Sequence, residues 1–388
     1  MKQEFEAIVL GVGGLGSAAA YWLSKRLGSA VLGLEQFDLG HVNGGSQDHS
    51  RIIRYSYHTP DYVRLAARAY DAWTEVEGEA DRELIVRCGG LDLFPSDGNV
   101  ELADYSESMN AAGVPCEVVA SQAIRARWPQ FRLDDSVQGI FQADGGYVKA
   151  AEANEIHQAL AREHGARLLS GVTLEALRER EGEYELITDS GTYSTGKLVI
   201  TAGAWTDQIL SGLDVDLPLQ VTQEQVTYFH SSSEVEFGPD RFPVWIWNDD
   251  PCYYGFPCHP VDGIKVAEDL GGRPVTPESR SLEPDPENLS GVRRFCERYM
   301  PAAATCINYS KTCLYTLTPD RDFIVDGVPG HPGAWLAIGA GHAFKFASLI
   351  GKTLSELVID GVTPTDIERF RADRPALEVI PETWGRPW

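Results

Sequence analysis

Ala7-Ile8-Val9-Leu10-Gly11-Val12-Gly13-Gly14-Leu15-Gly16 is the stretch from which the fold is read. Four apolar residues predict a buried parallel strand, Gly11 to Gly16 a tight turn, and Ser17 to Leu27 a helix carrying Ala18, Ala19, Leu23 and Leu27. Ala30 to Leu34 then predicts a second strand that ends at Glu35. This is a βαβ unit, and its turn fits the GxGxxG pattern in the context that pattern requires. Gly11 permits the turn, Gly13 lets a pyrophosphate approach the helix N-terminus, and Gly16 lets helix and strand pack closely. Glu35, about 20 residues on, is placed to accept hydrogen bonds from ribose hydroxyls. The turn alone does not choose between FAD and NAD.

Working outward, helices are expected at Asp61 to Glu75, near Ala103 to Ala111, and at Glu152 to His164. Strands follow to Ile200, where Leu198-Val199-Ile200-Thr201-Ala202-Gly203 runs into small residues that admit a ligand. From Leu217 to about Thr316 the chain is rich in Pro and aromatic residues, with strands at Gln223 to Phe229, Tyr253 to Phe256 and Ile264 to Val266. A compact pattern returns at Phe323 to Asp326 and Trp335 to Gly339, and a helix closes the chain from about Ala347 to Ile359. We expect an α/β protein, α+β overall. A Rossmann-like FAD-binding domain (1–86, 143–216 and 318–388) is interleaved with an antiparallel-sheet substrate domain (87–142 and 217–317). The late turn Gly339-Ala340-Gly341-His342 favours flavin, because an NAD domain needs no such return.

The 388 residues are 43% hydrophobic, enough for a sizeable core, and carry a formal charge of -24. That charge repels phosphate backbones and anionic membranes, so nucleic acid and membrane are excluded as partners. An anionic substrate then needs a local cluster of Arg or Lys. No export signal precedes Ala7 and no run of about 20 apolar residues offers a membrane span, so a cytoplasmic protein is expected. Seven cysteines without a CxxC pair or ligand-like spacing to His predict neither a disulfide framework nor a metal site.

Several further stretches carry a resemblance: Leu34-Glu35-Gln36-Phe37, Ser50-Arg51-Ile52-Ile53-Arg54, Tyr253-Tyr254-Gly255-Phe256-Pro257, Cys313-Leu314-Tyr315-Thr316 and Gly341-His342-Ala343-Phe344-Lys345-Phe346. With the glycine turn and in this order, they make the whole chain resemble the monomeric sarcosine oxidase and N-methyltryptophan oxidase group of the D-amino-acid-oxidase-like flavoproteins. The resemblance implies FAD held covalently through Cys313, whose thiolate attacks the 8α carbon of the ring. It implies that Gly11, Gly13, Gly14, Gly16, Glu35, Gln36, Ser50, Arg51, Val172, Gly203, Gly341, His342, Phe344 and Lys345 form the cofactor site. Arg54 and Lys345 match the cations that hold the substrate carboxylate, and they are the local cluster the acidic surface requires. Arg51 matches a residue beside the flavin, Lys265 the oxygen-activating lysine, and Tyr254 and Tyr315 the aromatic walls. Trp245 is placed with the substrate-binding residues.

Two departures bear on the substrate. Gln47 and Asp269 stand where the family pattern has histidines, and an extra carboxylate in the cavity could pair with a cationic group. The expected activity is oxidation of the C–N bond of a small secondary amino acid, such as sarcosine or N-methyltryptophan, by O2 to imine and H2O2, carried out by a monomer. Cyclic imino acids (pipecolate, proline) and fructosyl amino acids are alternative substrates. Two other classes remain open. An NAD-dependent dehydrogenase would be colourless and have no use for Cys313, and a flavin-binding subunit of a larger complex would react slowly with oxygen.

Overall fold

A computed structural model describes residues 2–259, 262–381 and 384. The opening stretch forms the strand Ala7–Leu10, buried on both faces, and the helix Gly14–Leu27, which begins three residues earlier than the side-chain pattern predicts. Helical backbone starts inside the glycine turn because Gly14 and Gly16 leave room for it: a Cβ on Gly16 would lie 1.8 Å from the Gly11 carbonyl oxygen. The strand pairs in parallel with Val31–Leu34 on one side and Leu198–Ile200 on the other. Arg167–Leu169 and Ala334–Ile338 extend the parallel sheet, and Ile324–Gly327 closes its edge antiparallel. The helix Gly14–Leu27 packs against Ala150–Glu163 and Ala347–Asp360. At the second of these contacts Gly351 is needed, since a Cβ there would meet Ala18 at 2.5 Å.

A second, nine-stranded sheet runs in the order 273–274, 220–230, 263–269, 252–259, 244–247, 90–94, 138–142, 117–120, with Cys306–Leu317 also paired to Gln220–His230. Two stretches far apart in sequence meet in it through the parallel pairing of Val244–Trp247 with Gly90–Phe94; its other pairings are antiparallel. The ribbon of Gln220–His230 and Cys306–Leu317 sets Thr222 opposite Tyr315 and Glu224 opposite Cys313. A helix not expected from the sequence, Pro286–Tyr299, lies against this sheet. Asp285 caps it by accepting from the Glu287 N–H at 2.8 Å, and Pro286 occupies its first turn.

That helix corrects one expectation directly. Trp245 is 0% exposed and stacks on Phe295 of the helix at 5.5 Å, in a core with Phe131 and Phe242. Side chains alternate across a strand, so Trp245 faces the helix layer while its neighbour Ile246 faces the cavity described next. Trp245 is therefore a core residue and not part of the substrate wall.

Candidate active site

A cavity of about 750 Å³ runs from the glycine turn to the second sheet. At one end it is lined by Gly11, Gly13, Gly14, Glu35, Gln36, Val172 and Gly203. The helix Gly14–Leu27 starts at Gly13, which has no side chain to cap it, and carries no acid in its first turn, so its positive dipole end faces the cavity without a competing negative charge from that turn. Ser46 Oγ takes the Gly14 N–H at 2.9 Å. Glu35 accepts from the N–H of Val12 at 2.9 Å and of Phe37 at 3.1 Å. Burial raises the Glu35 carboxyl, but a hydrogen bond with His41 and those two N–H groups outweigh it and hold the group below its ordinary range.

The middle of the cavity is lined by Gln47, Arg51, Gly341, His342 and Phe344. Arg51 donates to the carbonyls of Gly45 and Ser50, each at 2.9 Å, and its guanidinium lies 5.8 Å from the centre of the Phe344 ring. Gln47 reaches across to donate to the Thr312 carbonyl, which fixes the loop against the strand that carries Cys313. His342 lies 2.9 Å from the Arg321 carbonyl, and burial holds its imidazole well below the ordinary range.

The far end is built from Arg54, Tyr254, Asp269, Tyr315, Arg321 and Lys345. Arg54 forms an ion pair with Asp92, whose other oxygen accepts from Ser56. Arg321 donates to Asp269 at 3.1 Å. Lys345 makes no ion pair among the described residues, and its ammonium lies 5.7 Å from the Tyr57 ring centre. Burial and the neighbouring Arg54 lower Lys345 to about 7. With Lys345 protonated, three cations face two carboxylates, which leaves a net single positive charge to receive one anion.

Lys265, Cys313, Ser50 and Gly16 are not among the described residues on the cavity wall. Lys265 is 2% exposed, pairs with Asp48 at 2.6 Å and donates to the Ser50 carbonyl at 2.9 Å, with its ammonium 4.5 Å from the centre of the Phe256 ring, which does line the cavity. Burial lowers it to about 8 against the upward pull of Asp48. Cys313 is buried just before Leu314 and Tyr315, both on the wall. Burial pushes its thiol up to about 11, although Arg51 and Lys265 pull it down.

Three residues of this site were not read from the sequence. Asp48 collects Lys265, the Tyr228 hydroxyl at 2.7 Å, Lys311 at 3.4 Å and Arg51 at 3.9 Å; despite burial, Lys265, Arg51 and the Tyr228 hydroxyl hold it far below the ordinary carboxylate range. Asp92 and Arg321 are the others. The signal for Asp48 was its place three residues before Arg51. Arg321 could have been suspected from a charged triplet, Asp320-Arg321-Asp322, close behind Tyr315-Thr316.

Residues 6–357 match the family of FAD dependent oxidoreductases. The chain belongs to that family. A monomeric sarcosine oxidase of Bacillus sp. (strain NS-129) is 32% identical over 383 residues, which is 97% of this chain and 99% of the relative. An N-methyl-L-tryptophan oxidase of Escherichia coli O9:H4 (strain HS) is 30% identical over 380 residues, covering 96% and 99%. Among solved structures, NikD, described as an unusual amino acid oxidase essential for nikkomycin biosynthesis, is similar with a TM-score of 0.86 at 25% identity, covering 96% of this chain and 98% of that one. The protein is a flavin-dependent oxidoreductase, and its residues fit FAD. A helix N-terminus with no acid in its first turn meets the cavity, and the cradle is one that side chains would fill: a Cβ on Gly14 would lie 2.7 Å from Ser46 Oγ and 2.9 Å from the Phe344 ring.

Proposed function

We propose that the protein is an FAD-dependent amine oxidase that takes a small secondary amino acid, such as an N-methyl amino acid, to its imine and passes two electrons to dioxygen as hydrogen peroxide. One observation carries this reading: a single cavity joins the dinucleotide turn to an end lined by two tyrosines and by Lys345, a cation without an ion pair among the described residues. Bound FAD would supply the acceptor for a hydride equivalent from the carbon next to nitrogen.

The protein's own residues bind, orient and tune. Lys345 and Arg54 take the substrate carboxylate, Lys345 as a point charge that regains its proton when the anion arrives, and Arg54 as a planar fork steadied by Asp92. Asp269, held by Arg321, stands on the same wall as an acceptor for the substrate's N–H. Tyr254 and Tyr315 exclude water, and burial keeps both phenols protonated well above neutral pH. Arg51 supplies fixed positive charge beside the reacting end of the cavity. Lys265 offers an ammonium, anchored by Asp48, to the charge that develops on oxygen. Cys313 holds the flavin covalently, with Arg51 and Lys265 favouring its thiolate.

We place the enzyme in the cytoplasm as a monomer. Support comes from described cysteines that are all free, the absence of a described helix long and apolar enough to cross a membrane, and the word monomeric in a relative's name. A peroxide-coupled screen across N-methyl, cyclic and primary amino acids tests the function. The reading requires peroxide with secondary amino acids. Peroxide with primary amino acids alone would overturn the substrate class, and none with any would overturn the activity.

A further inference from the structure

Glu224 is a buried acid that the reaction described above does not use. It is 3% exposed, and among the described residues it forms no ion pair. Thr222 donates its hydroxyl to Glu224 Oε1 at 2.6 Å, while Oε2 is buried without a hydrogen-bond partner among the described residues. Space around it is tight: a Cβ on Gly272 would come within 2.4 Å of Oε1. A carboxyl held in this way is costly where a glutamine would fill the same volume, so its acidity calls for a use. The strand register supplies one. Glu224 lies directly opposite Cys313, and directly opposed residues share a face with Cβ atoms about 4.5–5.5 Å apart.

We infer that Glu224 is the proton acceptor that converts the Cys313 thiol into the nucleophile for flavin attachment, an inference that rests on the reading of Cys313 as the covalent anchor. The Glu224 carboxylate is felt at Cys313, and Arg51 and Lys265 act on the same sulfur with opposite sign. A thiol at about 11 is ionised in roughly one molecule in ten thousand at pH 7, so attachment needs a base beside it. Burial, with Asp269 adding to it, pushes Glu224 up to about 7 against the Thr222 hydroxyl, the Arg321 charge and the Gly272 N–H, and a general base works best when poised near the working pH. Arg51 and Lys265 then stabilise the thiolate. In the step itself the thiol proton passes to Glu224, the 8α carbon loses one hydrogen as a proton, and the sulfur electron pair forms the S–C bond. The two electrons released enter the flavin ring, and with two protons they leave on dioxygen as hydrogen peroxide.

The test uses full-length apoprotein prepared under riboflavin limitation, mixed with FAD in air. Two signals are followed: quenching of flavin fluorescence for noncovalent binding, and acid-precipitable flavin for attachment. Wild type should attach flavin at a rate that rises with pH through about 7 and then levels. Glu224→Gln should bind FAD normally yet attach it about 100-fold more slowly and without that rise. Glu224→Asp should retain the rise at a reduced rate. Thr222→Val removes a donor that favours the charged carboxylate, so the midpoint should move to higher pH. Attachment by Glu224→Gln with wild-type rate and profile overturns the inference. If that variant does not fold, an unmoved midpoint in Thr222→Val overturns it instead. Wild-type protein that releases all its flavin into acid overturns the anchor reading itself, and this is seen without any Glu224 variant.

Discussion

Replacing Lys265 by Met keeps the length of the side chain while deleting an ammonium that is buried 2.6 Å from Asp48. At an effective dielectric constant of 20, the attraction between the two charges is about 6 kcal/mol, much of it offset by desolvation. Removing one partner of such a pair costs about 3–5 kcal/mol, because Asp48 would keep its charge with only Lys311 at 3.4 Å, Arg51 at 3.9 Å and the Tyr228 hydroxyl in support. Lys265→Met should therefore be less stable, and adding Asp48→Asn should recover most of that loss. Chemistry separates from stability at this point. A preorganised charge beside a developing anion is worth about 3 kcal/mol, so reoxidation of the reduced enzyme by air should slow about 100-fold or more in both variants. Anaerobic reduction by substrate should change little. Stopped-flow absorbance of the flavin measures both halves, and thermal unfolding measures the stability. Fast reoxidation regained in the double variant, or equal slowing of both halves, would mean that Lys265 does not serve oxygen.

Arg54→Met and Lys345→Met should each lose about 2 to 4 kcal/mol in kcat/KM for an amino acid but little for its amide, and an unchanged acid-to-amide ratio would remove the carboxylate from this end of the cavity. Because Lys345 lies at about 7 and must be protonated to hold an anion, the affinity for a simple carboxylate inhibitor should fall as pH rises above about 7. In Lys345→Arg that fall should vanish; its persistence would assign the titration to another group. Gly14→Ala places a Cβ 2.7 Å from Ser46 Oγ and 2.9 Å from the Phe344 ring, a crowding of about 1–3 kcal/mol that should weaken FAD binding roughly tenfold or more with helicity unchanged. Wild-type affinity for FAD in that variant would mean the cradle is elsewhere.

Local patterns carried far. The glycine turn, its flanking strands and Glu35 are read from consecutive residues, and the structure brings them to one end of one cavity. Arg51, Arg54, Tyr254, Tyr315 and Lys345 were legible only through the resemblance, since no spacing joins residues that four separate elements bring together. Pairings across long separations stayed hidden. Nothing local says that Asp92 will meet Arg54, that Asp269 will meet Arg321, or that Asp48 will gather Lys265 from a strand more than 200 residues away. Trp245 failed for a related reason. Whether a strand residue faces a cavity or a helix depends on which layer covers each face, and the covering helix Pro286–Tyr299 shows only Val292, Phe295 and Cys296 as buried residues among many charged ones.

The most direct test of the central claim is an anaerobic titration of the purified yellow protein with N-methyl amino acids, followed by admission of air. One equivalent of substrate should bleach the flavin, and air should restore the oxidised spectrum with one equivalent of hydrogen peroxide and one of the aldehyde from imine hydrolysis. A flavin that no secondary amino acid bleaches, or that stays reduced in air, would contradict that claim.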